Sequence, residues 1–137
     1  RSAPQVSVNQ RFQWALFSVL GAYRVEVSIR RDGDLTILWL AGKILGGHES
    51  YELRRELDRI LERGDRRLLV DLRDVPWMNS AGLGILLSAY SRMKETGGTI
   101  RFSGAGERVR GILKTTKLLT VLEVHDDEES GIQSFRS

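Results

Sequence analysis

The chain has 137 residues, enough for one domain with a core of its own but hardly for two. It contains no cysteine, which excludes disulfides, thiolate metal sites and a cysteine nucleophile. The net charge of +3 comes from three arginines within residues 1–24, since the rest of the chain holds 18 basic and 18 acidic side chains. No basic patch is visible on the domain itself, so nucleic-acid binding is not expected.

Residues 1–24 form an extension that differs from the rest in charge and pattern. Apolar residues at the spacing of one helix face are Phe12, Leu16, Val19 and Leu20. The apolar run 14–22 is too short to span a bilayer and is similar to a short signal-peptide core. Three interpretations stay open: a helix that packs on the domain or across a homodimer, a leader, and a vector remnant.

Residues 25–137 have the regular pattern of one domain. Val25, Val27 and Ile29 alternate with polar residues and predict a strand, which a turn at 32–34 joins to an apolar strand over 35–41. A glycine-rich loop over 42–48 precedes an amphipathic helix over 49–63. Further strands are predicted over 67–72, 99–103 and 121–124. Helices are predicted from residue 79 or 80 to about 96, over 107–116 and over 126–135.

This order, ββαβαβαβα, predicts an α/β fold with a small, mixed, mainly parallel sheet. Right-handed crossovers between neighbouring strands place the helices mostly on one face of that sheet. The other face should then be partly open, with Leu38, Leu40 and Leu69 as candidates for exposed apolar area. Residues 1–24 could cover them.

The most informative segment runs from Asp71 to Leu87, where a strand ends and a polar pair begins a helix. Either Asn79 or Ser80 can be the N-cap, which accepts a hydrogen bond from a free backbone N–H. Gly82 and Gly84 in the first turns each cost a helix about 1 kcal/mol relative to alanine. Close approach of another backbone or of a partner would explain them.

Residues 78–84, Met-Asn-Ser-Ala-Gly-Leu-Gly after a strand, resemble the signature of the anti-sigma factor antagonist (STAS) family. The similarity extends to residues 40–42 before the first loop and to 97–100 at a helix-to-strand junction. It covers the element order from about residue 25 to 135. Asn79 replaces the aspartate usual in the family, and Ala81 replaces a second serine.

The resemblance implies a cytoplasmic switch protein without cofactor or metal. A partner that is both anti-sigma factor and serine kinase would phosphorylate Ser80, and the unphosphorylated form would bind that partner. Because Asn79 brings no negative charge beside the serine, phosphorylation could be slow or absent. The alternative is a non-phosphorylated adaptor or scaffold subunit of the same superfamily.

The loops after the parallel strands should meet at one end of the sheet, where open sheets bind their ligands. The resemblance and this topology predict one partner-facing patch. Its residues are Gly42, Lys43, Ile44, Leu45, Gly46, Gly47, Asn79, Ser80, Ala81, Gly82, Gly104 and Gly106.

An enzyme is not expected. Ser80 lacks the G-x-S-x-G context of a hydrolase nucleophile, because Met78 occupies the first glycine position. His48 is the one histidine placed to act as a base, and with His125 it has no metal-ligand spacing. Gly104 and Gly106 do not complete a dinucleotide fingerprint, although a weak nucleotide contact there stays open.

Overall fold

The computed structural model of the protein describes residues 24–136. Its strands are Glu26–Asp32 (β1), Leu35–Ala41 (β2), Arg67–Asp74 (β3), Thr99–Ser103 (β4) and Val124–His125 (β5). Its α-helices over that range are Tyr51–Arg63 (α1), Ser80–Glu95 (α2), Glu107–Thr115 (α3) and Glu128–Ser134 (α4). The predicted order is confirmed. The helix predicted within residues 1–24 lies outside the described residues.

The five strands form one sheet in chain order, β1-β2-β3-β4-β5. β1 and β2 are an antiparallel hairpin closed at Gly33, whose φ of 64° is the left-handed conformation that glycine adopts without strain. The pairs β2–β3, β3–β4 and β4–β5 are parallel. The carboxyl ends of these parallel strands therefore share one end of the sheet, as the α/β prediction requires.

The main core lies between α1–α3 and one face of the sheet. Side chains alternate along β2, and Leu38 and Leu40 point into this core with no exposed area. From α1 the buried stripe includes Leu53, Leu57 and Ile60, which are spaced as one helix face requires. This layer fixes α1 and α2 side by side above β2 and β3.

The opposite face is covered by α4, contrary to the prediction that it is partly open. Leu69 has no exposed area and forms a second cluster with Leu35, Ile37, Ile132 and Phe135. A Cβ atom on Gly131 would lie 2.9 Å from Leu69 Cδ1, so the glycine lets the helix backbone approach the sheet closely. The expectation of exposed Leu38, Leu40 and Leu69 is wrong, because helices within the described residues bury all three.

The last strand is shorter than predicted and begins later. Residues 121–123 are a turn and irregular backbone that follow a 3₁₀ turn over 118–120, and β5 contains only Val124 and His125. Lys117 ends the preceding segment with a φ of 63°, and Leu122 is buried in the main core. The apolar residues that predicted a strand over 121–124 are therefore explained by Leu122, which packs a turn onto the core.

Candidate functional site

The segment that leads from β3 into α2 presents Ser80 to solvent. Met78 is fully buried, whereas Ser80 is exposed as the first residue of α2. Asn79 is the N-cap, since its side-chain oxygen accepts a hydrogen bond of 2.8 Å from the backbone N–H of Gly82. The Ser80 hydroxyl is therefore not used as the cap and lies at the positive end of the helix dipole.

The glycine-rich loop 42–47 lies directly against this helix start. Ile44 donates its N–H to the Trp77 carbonyl at 3.1 Å and accepts from the Asn79 N–H at 3.3 Å. A Cβ atom on Gly82 would lie 1.9 Å from the Ile44 carbonyl oxygen. A Cβ atom on Gly46 would lie 2.5 Å from Ala81 Cβ. The structure thus brings the two predicted segments into contact.

Two charged residues that the sequence analysis did not single out hold loop 42–47 in place. The Glu49 carboxylate accepts hydrogen bonds from the backbone N–H groups of Leu45, at 2.8 Å, and Gly47, at 3.2 Å. Partial burial raises the pKa of Glu49, but these bonds and one from Ser50 outweigh it and lower the pKa. Arg54 donates to the Gly46 carbonyl at 2.5 Å. In the sequence, the only local sign of these contacts is that Glu49 directly follows a loop with three glycines.

The third loop, at 104–106, contacts the β3–α2 segment. Gly104 has a φ of 73°, and a Cβ atom there would lie 3.1 Å from Arg73 Cβ. Gly106 is the N-cap of α3, and the guanidinium of Arg108 lies 5.2 Å from the ring centre of Trp77. This loop is therefore joined to loop 42–47 through the segment around Trp77.

The predicted patch separates into surface and supporting residues. Exposed members are Lys43, Leu45, Gly47, Ser80, Ala81 and Gly106. Gly42, Ile44 and Gly82 are buried. They lie where loop 42–47 packs against the segment from β3 to α2 and do not contribute to the surface. Gly46, Asn79 and Gly104 are half-buried. We call the exposed residues 43, 45, 47, 80 and 81 the docking surface, after the partner-facing patch that was predicted for them.

An open groove of about 320 Å³ continues from the docking surface between α1 and α2. It passes from Ala81 along Gly84 and Ser88 towards the ion pair of Arg92 with Asp58, whose atoms are 2.7 Å apart. Gly84 is exposed here, and a Cβ atom on it would meet no other atom within 4 Å. Unlike Gly82, it is therefore not required by a contact within the described residues.

Residues 24–136 include no group of three or more His, Asp or Glu side chains arranged to hold a metal ion. Over the same range, no helix combines the length and apolar character of a membrane span. The chemistry that the site offers is thus that of an exposed hydroxyl group beside a braced loop.

Comparison with known proteins gives consistent results. The model of the STAS domain family matches residues 26–131. The anti-sigma-B factor antagonist of Bacillus subtilis is 26% identical over 109 residues, which are 80% of this chain and 98% of that protein.

Solved structures agree on the fold. An anti-sigma factor antagonist from Mycobacterium paratuberculosis superposes with a TM-score of 0.73 at 17% identity, covering 82% of this chain and 95% of that one. The Bacillus cell fate determinant SpoIIAA in its phosphorylated form gives a TM-score of 0.65 at 14% identity, covering 80% and 99%. At these identities the structures establish the fold alone.

Proposed function

Because this chain belongs to the STAS domain family, we propose that it is an anti-sigma factor antagonist whose docking to a partner is switched by phosphorylation of Ser80. The partner is an anti-sigma factor that is also a serine kinase, and the setting is the bacterial cytoplasm. The observation that carries the proposal is the exposed Ser80 in the first turn of α2, beside the braced loop 42–47. The protein acts by binding and not by catalysis.

The physical basis of the switch is where a phosphate would lie. Phosphorylation adds about −1.5 to −2 charges at neutral pH. At the start of a helix the dipole stabilises that charge, and Ser80 has room because it is exposed. In a docked complex the same charge must lose its water, which opposes binding. The domain therefore keeps its fold while the complex is lost.

The docking surface is supported from beneath. Ile44 and Gly82 join loop 42–47 to α2, and Glu49 and Arg54 brace the loop from the side. A surface that is ordered before binding loses less conformational entropy when a partner docks. Leu45, 37% exposed, supplies an apolar contact on this surface.

A second candidate is a scaffold subunit that docks without being phosphorylated. It is favoured by Asn79, which caps α2 but brings no carboxylate to a kinase or its magnesium ion. The two candidates share the fold and the docking surface and differ in whether Ser80 carries phosphate.

Two measurements test the proposal. Mass spectrometry of the protein purified from its own host should find phosphate on Ser80. Ser80→Asp should weaken binding to the partner anti-sigma factor by at least about tenfold, or about 1.4 kcal/mol. Its melting temperature should change little, because an acidic residue at the first position of a helix is favourable.

The matched control is Ser91→Asp, an exposed serine on the same helix and away from the docking surface. It should bind the partner as the wild type does. Unmodified Ser80 in the host, together with equal binding by Ser80→Asp and wild type, would support the scaffold candidate instead.

A further inference from the structure

Polar side chains from three strands converge beneath α4, on the face of the sheet away from α1–α3. Asp71 of β3 is 3% exposed, and Ser103 of β4, its neighbour in the sheet register, is completely buried. Arg30 of β1 reaches the same place, with 9% of its side chain exposed. From above, α4 contributes Glu128, whose side chain is 16% exposed.

These groups form one connected cluster. Arg30 donates a hydrogen bond to the Glu128 carboxylate, and the Glu128 and Asp71 carboxyl groups are hydrogen-bonded to each other. Asp71 Oδ1 also accepts from the Arg73 backbone N–H at 3.0 Å. The Nε of Arg30 and the hydroxyl of Ser103 are buried without a hydrogen-bond partner among the described residues.

The contact between two carboxyl groups has a chemical requirement. An ionised carboxylate can only accept hydrogen bonds, so two carboxyl groups can be bonded to each other only if one of them holds a proton. Two buried carboxylates in contact would also repel each other strongly. Arg30 bonds to Glu128 and favours its ionised form, which leaves the proton on Asp71.

The charged groups that face the pair agree with this assignment. Burial, the hydrogen bond with Glu128 and the nearby charge of Asp74 raise the pKa of Asp71 to about 7, against the effect of the Arg73 N–H. Burial also raises the pKa of Glu128, but hydrogen bonds from Arg30 and Asp71 and the charge of Arg73 outweigh it and lower the pKa.

We propose that the proton shared by Asp71 and Glu128 is a latch that holds α4 on the sheet, and that loss of this proton loosens α4. The helix closes the second apolar cluster, which contains Leu35, Ile37 and Leu69. Opening α4 would uncover this apolar face. The latch is separate from the docking surface and does not depend on Ser80.

The direction of the pH effect follows from proton binding. The ordinary pKa of an aspartate is 3.8, and that of Asp71 is about 7 with α4 closed. Between these values the closed form binds a proton that the open form releases. The opening equilibrium of α4 should therefore rise as the pH rises towards 7 and become constant above it. One proton changes that equilibrium by at most about tenfold per pH unit.

Hydrogen–deuterium exchange of the α4 amides in the full chain tests the latch. From pH 5 to 7, after correction for intrinsic exchange rates, the opening equilibrium should rise by about tenfold or more and then become constant by about pH 8. Amides of β3 serve as an internal reference for global unfolding. A flat α4 profile would overturn the proposal.

Three variants separate the latch from a general effect of charge. Asp71→Asn should have a flat profile, because no proton is needed there. Glu128→Gln should have a flatter profile than the wild type, since its amide can donate to the Asp71 carboxylate and only the effect of burial remains. Glu129→Gln removes the neighbouring, exposed carboxyl group of the same helix and should behave as the wild type.

The same rise in Asp71→Asn or Glu128→Gln as in the wild type would overturn the proposal. If neither variant folds, the carbon NMR signal of the Asp71 carboxyl group decides in the wild type. A titration midpoint near neutral pH supports the latch, and a midpoint below about 5 contradicts it.

Discussion

The carbonyl oxygen of Ile44 occupies the space that a side chain at residue 82 would fill, since a Cβ atom on Gly82 would lie 1.9 Å from that oxygen. The glycine is thus the point where loop 42–47 and α2 meet. This contact explains a residue that is unfavourable in a helix by its own propensity.

Gly82→Ala should therefore destabilise the domain by about 1–3 kcal/mol or more, because the loop must move away from α2. The control is Gly84→Ala, two residues along the same helix, where an added Cβ atom meets nothing within 4 Å. That change should stabilise the domain by about 0.5–1 kcal/mol through helix propensity. Urea unfolding of both variants measures the difference. Equal stability of the two variants would contradict the role given to Gly82.

Removing the cap of α2 should have a smaller effect on stability. Asn79→Ala leaves the Gly82 N–H without its acceptor and should cost about 1 kcal/mol. Asn79→Asp keeps an acceptor at the same place and should retain the stability of the wild type. Thermal unfolding checks both. A loss in Asn79→Asp as large as in Asn79→Ala would show that the side-chain oxygen is not what matters.

Asn79→Asp also tests the proposed switch. It restores the carboxylate that the family usually has beside the phosphorylated serine. We expect faster phosphorylation of Ser80 by the partner kinase in this variant than in the wild type, measured by incorporation of labelled phosphate. Asn79→Asp, Ser80→Ala is the control and should incorporate none. An unchanged rate would mean that the kinase does not use this carboxylate.

Leu45 should be the apolar anchor of the docking surface. It is 37% exposed, and its backbone N–H is fixed by Glu49. Leu45→Ser should weaken binding to the partner by about tenfold while stability changes little. Val121, 51% exposed and away from the docking surface, gives the control Val121→Ser, which should bind normally. Calorimetric titration with the partner distinguishes them.

Asp65 should make the domain sensitive to strong acid. Burial raises its pKa, but hydrogen bonds from Arg63, Thr36 and Arg31 outweigh it and lower the pKa to about 2, below the ordinary 3.8. Its stabilising contribution is therefore complete above about pH 4 and is lost as the pH falls towards 2.

Acid unfolding followed by circular dichroism measures this contribution. Asp65→Asn should be less stable than the wild type at neutral pH, and the difference should shrink as the pH falls from 4 to 2. Asp34→Asn, with a side chain that is 76% exposed and paired with Arg67 at 3.4 Å, is the control and should leave the acid profile unchanged. A constant difference between Asp65→Asn and wild type would contradict the assignment.

The element order could be predicted from the sequence because each element carries its own periodic signal. The stripe of Leu53 and Leu57 is a local pattern, and so is the alternation in β1. A close contact at Gly82 could be predicted from the sequence, since a glycine that helix propensity does not explain indicates that another group approaches the helix closely. The identity of the approaching group, Ile44, depends on the packing of a loop far away in sequence.

The position of α4 could not be predicted in the same way. Its sequence indicates a helix, but not which face of the sheet the helix covers. That face is fixed by non-local contacts: Gly131 against Leu69, and Glu128 with Arg30 and Asp71. The contacts of Glu49 and Arg54 with loop 42–47 could not be predicted either. A charged side chain beside a loop gives the same sequence pattern whether it faces solvent or the loop.

The chain-order sheet has a consequence for synthesis of the protein. Every strand lies beside its predecessor, so each can dock on a finished neighbour as the chain leaves the ribosome. Arg30 and Glu128, 98 residues apart, meet only when nearly the whole domain has emerged. Until then the apolar face at Leu35 and Leu69 lacks the helix that covers it, and exposed apolar surface of this kind is what chaperones recognise on unfinished chains. A chain truncated before α4 would lack this cover over Leu35 and Leu69, so the second apolar cluster of the domain forms only once α4 is present.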